Sequence, residues 1–539
     1  MVVFSFIAQQ EMEEAVEASA DFLLVGFFVW LVSIFLIRWL MLKYVLKLMN
    51  KKSSIVKTEI PPELNASEIK AKQKPTILSY DKNSDRLGAI EKREKYVKNA
   101  FVIFRKKYLY TVLACAVYLI VPLIFNRLDT YSIFNEDEND DGFYMMLFIY
   151  FLVICYALYI LLVYWFYRRQ FRPENTKFGF RLELPTSTLL RTLTNPRWES
   201  YISILLISMF FIIGLIMLFP EEQAKPFPWF TWGIFVSIAF HIFLKILVYR
   251  KSQQTVNVKL LILRVFGDKK NILFTFGRLT RFWEHFGSWF TVVDPSFLAR
   301  KYRTFTLRTL LILVFIFIYG IILSLGIEEL MKLSIERFNI GNNLSDSEIS
   351  DYSFLPGIII SWLTYMIYWR FTIWRSYVKN LPQIQRRIQR VIKKPRKLDL
   401  RFKNLPMFCY DNTWKLAVSE FVKNSNVVLM DLRGFSAERK GCEYEVDFLL
   451  DTFPINNILF VIDDNEARPI VEQLISDRWE FIRTTSPNLN LEKPIARILA
   501  ISLGDEGDVQ TIIDLLLETT DFQEVREDKI IDAKQPALS

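Results

Sequence analysis

Seven nearly uncharged apolar runs decide most of what this chain can become, because a helix of about 20 such residues crosses the hydrocarbon core of a bilayer. They are Phe22–Leu42, Tyr108–Asn126, Phe143–Tyr167, Tyr201–Phe219, Trp229–Tyr249, Thr309–Ile327 and Phe354–Trp374. The connectors alternate in charge. The link after the second run holds Asp129, Glu136, Asp137, Glu138, Asp140 and Asp141, whereas the third run ends on Arg168, Arg169 and Arg172. Basic connectors stay on the cytoplasmic side, so the pattern predicts a multi-pass plasma-membrane protein with its N-terminus outside and its C-terminus cytoplasmic. Met1–Gln10 lacks a basic start and is followed by Glu11, Glu13 and Glu14, which argues against a cleavable signal peptide.

This topology divides the sequence. Residues 1–49 form the exoplasmic N-terminus and first span, 50–107 a cytosolic linker, and 108–250 four further spans. Residues 251–304 hold the first part of a cytosolic α/β domain, 305–374 a transmembrane hairpin, 375–404 a basic juxtamembrane segment, 405–521 the second part, and 522–539 a polar tail. The α/β reading rests on five short apolar stretches, Leu260–Phe266, Trp289–Val293, Asn426–Met430, Asn457–Ile462 and Arg497–Leu503, alternating with helical patterns. That alternation predicts a five-stranded parallel, flavodoxin-like sheet interrupted by the hairpin. Two unrelated cytosolic segments are the competing arrangement.

Net charge is +9, which raises the question of nucleic acid. The basic residues follow the membrane topology and no nucleic-acid module accompanies them, so none is expected as a partner. The densest run, 379–403, includes Arg386, Arg387, Arg390, Lys393, Lys394, Arg396 and Lys397. Directly beneath a bilayer such a run contacts anionic headgroups; a plain solvated helix is the other reading. Two histidines, His241 and His285, are too few for a His-rich metal site, and none is expected.

Ligands of open parallel sheets bind beyond the carboxyl ends of the strands. Those ends carry Gly267 and Asp268, Asp294 and Ser296, Asp431, Arg433 and Gly434, and Asp463, which makes them the candidate ligand-binding residues together with Cys442. Asp and Gly are also ordinary turn residues, so each position has a structural reading too. The usual Gly-rich phosphate cradles are missing.

Gly441-Cys442-Glu443-Tyr444-Glu445 opens the helix after the third strand. With the strand order, this Cys-x-x-Glu resembles Toll/interleukin-1 receptor (TIR) domains and their bacterial relatives. The resemblance implies a signalling or defence-type effector binding a nucleotide-like ligand, homo-oligomeric assembly, and, as in enzymatic members, NAD as substrate with Glu445 catalytic. Gly441 stands where the family has an aromatic residue. Helical spacing leaves Glu443 and Glu445 flanking the same apolar stripe, and both suit a helix N-terminus without any catalytic role. Arg433 has the fork of donors that suits a phosphate. A non-catalytic scaffold for protein partners and a transporter with a regulatory domain are the alternatives.

Overall fold

The computed structural model describes almost all of residues 67–80, 87–127, 140–170, 228–264, 279–293, 377–435, 440–463, 467–501 and 506–520, with scattered residues of 40–48, 202–211 and 327–371. They fall into two compact units, one of 60–291, 384–406 and 418–539, the other of 1–59, 292–383 and 407–417.

The first unit contains three long helices, α1 (Leu87–Arg127), α2 (Asp140–Gln170) and α3 (Pro228–Ser252). Each includes a segment long and apolar enough to cross a membrane: Val102–Phe125, Leu147–Trp165 and Thr231–Ser252. These are the second, third and fifth of the runs read from the sequence. The count of seven is therefore corrected to three among the described residues; the first, fourth, sixth and seventh runs fall mostly outside them. Leu109, Phe151, Leu158 and Phe243 are more than half exposed, as expected of helices that face lipid rather than water.

α1 and α3 lie against each other in opposite directions. A Cβ on Gly233 would come within 2.7 Å of the Cα of Pro122, and the Ser237 hydroxyl reaches the Val117 carbonyl at 3.4 Å. Small residues allow this approach. Gly233→Leu is expected to force the helices apart and lower stability in detergent by about 1–3 kcal/mol, with Gly233→Ala milder. Thermal denaturation of both variants checks this, and a Leu variant melting with the native protein would refute it.

The same unit holds a parallel sheet of β2 (Thr76–Tyr80), β3 (Leu260–Arg264), β4 (Trp289–Val292), β7 (Val427–Asp431), β8 (Ile458–Ile462) and β10 (Ile495–Ala500), in the order β2-β10-β8-β7-β3-β4. Numbered in chain order, the five expected strands run 2-1-3-4-5, a doubly wound order whose direction reverses between β3 and β7. Leu260 pairs with Val427 and Arg264 with Asp431, so the stretches on either side of residues 293–376 share one sheet. The segment that would form the hairpin lies almost wholly outside the described residues. All five residues of β7 and of β8 are buried, as central parallel strands require.

The expected sheet omits β2, which comes from the stretch read as a linker. Residues 50–107 supply β2, the edge strand beside β10, and the first turns of α1. They also supply β1 (Glu68–Lys70), paired antiparallel with β9 (Phe481–Arg483). β2 is Thr-Ile-Leu-Ser-Tyr with no fully buried residue, and an edge strand of this kind leaves little periodic signal.

Helices α6 (Lys440–Thr452), α7 (Arg468–Glu480) and α8 (Glu506–Glu518) follow strands β7, β8 and β10. Ile512, Ile513 and Leu516 of α8 belong to one buried apolar cluster with β3, β7, β8 and β10 and with Tyr96, Phe104 and Ile234 of α1 and α3. In the second unit β5 (Tyr377–Val378) pairs in parallel with the end of β6 (Asn404–Cys409), and Tyr377 packs on Phe408 and Tyr410. α4 (Leu381–Lys393) and α5 (Trp414–Lys423) complete the described α-helices.

Candidate functional site

β7 ends on Asp431 with its side chain 1% exposed. The chain turns, and Arg433 folds back on it. Its Nε meets Asp431 Oδ1 at 2.7 Å, its Nη2 meets Oδ2 at 3.1 Å, and its backbone N–H reaches Oδ1 at 3.3 Å. This is a two-pronged charge-assisted pair wholly out of water, and it holds the guanidinium that the sequence offers to a phosphate. Gly434 then takes φ +70°, which only glycine adopts without cost. Its N–H donates to Asp463 Oδ2 at 2.6 Å, and Leu432 N–H donates to the Val461 carbonyl at 2.8 Å. Four of the sequence-predicted residues, Asp431, Arg433, Gly434 and Asp463, thus form one hydrogen-bonded cluster at the carboxyl ends of β7 and β8.

α6 carries the other two. Cys442 is buried and in no disulfide. Glu445, three residues on, is 3% exposed, while Glu443 is only half-buried. Helical spacing leaves the two glutamates equivalent, and the packing separates them. Among the described residues Glu445 Oε2 has no hydrogen-bond partner. Burial pushes its carboxyl up from 4.5 to about 8, so it is mostly neutral at pH 7.

Asp451, on the same helix, shows what a structural carboxylate looks like here. It receives Arg478 Nη2 at 2.6 Å, Arg483 Nε at 2.9 Å and the Arg483 N–H at 3.1 Å, and Arg478 also reaches Glu68 at 2.9 Å. That knot ties α6, α7, β9 and β1 together. Glu445 has no comparable set of donors among the described residues, and a buried carboxyl held neutral near pH 7 suits proton transfer or hydrogen bonding to a substrate hydroxyl.

Gly267, Asp268, Asp294 and Ser296 lie outside the described residues, as do 436–439, 464–466 and 502–505. Sequence reasoning missed a second buried charged cluster. Arg401 binds Asp399 Oδ2 through Nε at 2.9 Å and Glu284 Oε2 at 3.1 Å, and Lys397 reaches Glu284 Oε1 at 3.2 Å. Arg396 and Arg401 are 2% exposed, although they belong to the run read as a solvated or lipid-facing basic segment. The available signal was the lone Asp399 inside that run. Burial and the Arg401 guanidinium hold His285 down at about 3, so it is a neutral ring, packed edge-on against Phe104.

Comparison of the chain with family models, with curated proteins and with solved structures finds no match.

Proposed function

We propose that this is a membrane-integral effector of the signalling or defence type, whose doubly wound domain faces the cytoplasm and binds a nucleotide-like ligand at the carboxyl edge of its sheet. In this reading the domain is TIR-like, and Glu445 supports cleavage of the nicotinamide–ribose bond of NAD. The observation that carries it is the buried, uncompensated Glu445 in the helix after β7, one of the two strands that flank the reversal of strand order. Support for the orientation comes from the basic residues at matching ends of the apolar segments of α1 and α3, Arg105 to Lys107 and Arg250 to Lys251.

Cleavage sends the bonding electrons of the C–N bond to the nicotinamide ring, which leaves neutral, and water adds to the ribose cation with loss of a proton. Ionised Glu445 offsets that developing positive charge and accepts from the ribose hydroxyls. Only the ionised form does so, and the rate is therefore expected to rise with pH through about 8.

The test is nicotinamide release from NAD by the purified full chain in detergent, measured chromatographically under clustering conditions. The native protein is expected to release nicotinamide, and Glu445→Gln to lose at least about 100-fold. Equal release by the variant would remove Glu445 from the chemistry. No release by the native protein would favour a non-catalytic scaffold for protein partners, a reading consistent with the closed Asp431–Arg433 pair.

A further inference from the structure

Where Lys106 and Lys251 stand, at the ends of the apolar segments of α1 and α3, lies a cavity of about 590 Å³. Its walls are apolar, including Ile103, Tyr110, Leu247, Val248 and Phe286, and its cations are Lys106, Lys251 and Arg396. No Asp or Glu lines it among the described residues.

Arg396 is the unusual member. It is 2% exposed, its Nε donates to Thr255 Oγ1 at 2.9 Å, its Nη1 donates to the Leu400 carbonyl, and its guanidinium lies 3.8 Å over the Phe402 ring. The turn after α3 fixes its backbone, since its N–H donates to Gln253 Oε1 at 3.1 Å. The carboxylates nearby are otherwise engaged: Asp399 by Arg401, and Glu284 by Arg401 and Lys397. Arg396 therefore has no carboxylate within ion-pair distance among the described residues, and a buried cation is stable only with a counter-charge or a full set of acceptors. Lys106 and Lys251 stand exposed at the rim. Val102 and Leu247, which also line the cavity, are exposed within the segments that cross the membrane. The cavity thus joins a cationic floor to apolar walls that continue to membrane depth.

We propose that this cavity is a headgroup site for an anionic phospholipid, with the phosphate on Arg396, Lys106 and Lys251 closing over it, and an acyl chain along α1 and α3. A zwitterionic lipid leaves its own cation facing these three and fits poorly, whereas a small soluble phosphate would not use the apolar walls. The site is separate from Glu445, so the outcome of the nicotinamide assay leaves this inference untouched.

The test uses the full chain in detergent, given phosphatidylglycerol and phosphatidylcholine of matched acyl chains, with bound lipid read by native mass spectrometry. Phosphatidylglycerol is expected to be retained about 30-fold more, the scale of two cationic side chains near an anionic lipid. The Lys106→Gln and Lys251→Gln double variant, altered only at exposed positions, is expected to lose most of that preference. Arg396→Gln is expected to abolish it, and if that variant fails to fold the lysine pair decides. Equal uptake of the two lipids, or a preference unchanged in the double variant, would overturn the proposal. Displacement of phosphatidylglycerol by an equal concentration of glycerol 3-phosphate would also overturn it, by making the site one for soluble phosphates.

Discussion

Asp431→Ala is expected to destabilise the sheet by about 3–5 kcal/mol, because it strands the Arg433 guanidinium without its carboxylate. The partners are 1% and 0% exposed, and two of the Arg433 nitrogens bond to the two Asp431 oxygens at 2.7 and 3.1 Å. Little water reaches the site to compensate. The pair itself is a different matter from its breakage: Asp431→Leu with Arg433→Met removes both charges and is expected to cost less than Asp431→Ala alone. Hydrogen exchange over β7 and β8 reports the loss where it arises. A single variant within about 1 kcal/mol of the native protein would mean that the pair is open to water in solution.

Glu445→Gln is expected to stabilise the protein at alkaline pH. Burial raises the folded carboxyl from 4.5 to about 8, so between those values the folded chain holds a proton that the unfolded chain has lost. Native stability therefore falls as pH rises from about 4.5 to 8 and levels off above. Glutamine does not ionise, so the variant lacks this slope. It is expected to match the native protein near pH 4.5 and to exceed it at pH 8 and above, by on the order of 1–4 kcal/mol. Thermal unfolding in detergent across that range checks the sign. An identical pH slope in both proteins would show Glu445 to be ionised and solvated when folded. A variant that gains stability while losing nicotinamide release would mark Glu445 as a residue kept for its chemistry at the expense of the fold.

The sheet was legible where strands are central and apolar. Leu260–Arg264, Val427–Asp431 and Ile458–Ile462 are continuous apolar runs bounded by turn residues, and their pairing follows the doubly wound order. β2 was not legible, because an edge strand with one exposed face has neither a long run nor a clean alternation. In the same stretch α1 starts at Leu87, well before its apolar segment, since Glu91, Arg93, Glu94 and Lys98 hide a helix that continues into that segment. Among the candidate residues, sequence brought Asp431, Arg433, Gly434 and Asp463 to one edge but did not tell that Asp431 and Arg433 would close on each other. Local pairing of Asp and Arg two residues apart depends on the turn from Leu432 to Phe435 that carries Arg433, in which Gly434 takes the positive φ. Burial of Arg396 and Arg401 was hidden for a different reason: charge runs are read by composition, whereas their placement follows from distant partners, Thr255 and Glu284.

The pairing of β3 with β7 has a consequence for how the chain is made. Leu260–Arg264 leaves the ribosome roughly 160 residues before Val427, and at synthesis rates of about 5–20 residues per second that interval is on the order of ten to thirty seconds. Throughout it a strand whose Leu260, Leu261, Ile262 and Leu263 are buried in the finished sheet waits without its inner neighbour, while the stretch between them is still being made. A chain assembled in this order needs either a chaperone at the nascent strand or a provisional partner, and β4, synthesised soon after and paired with β3 in the finished sheet, is the one that arrives in time.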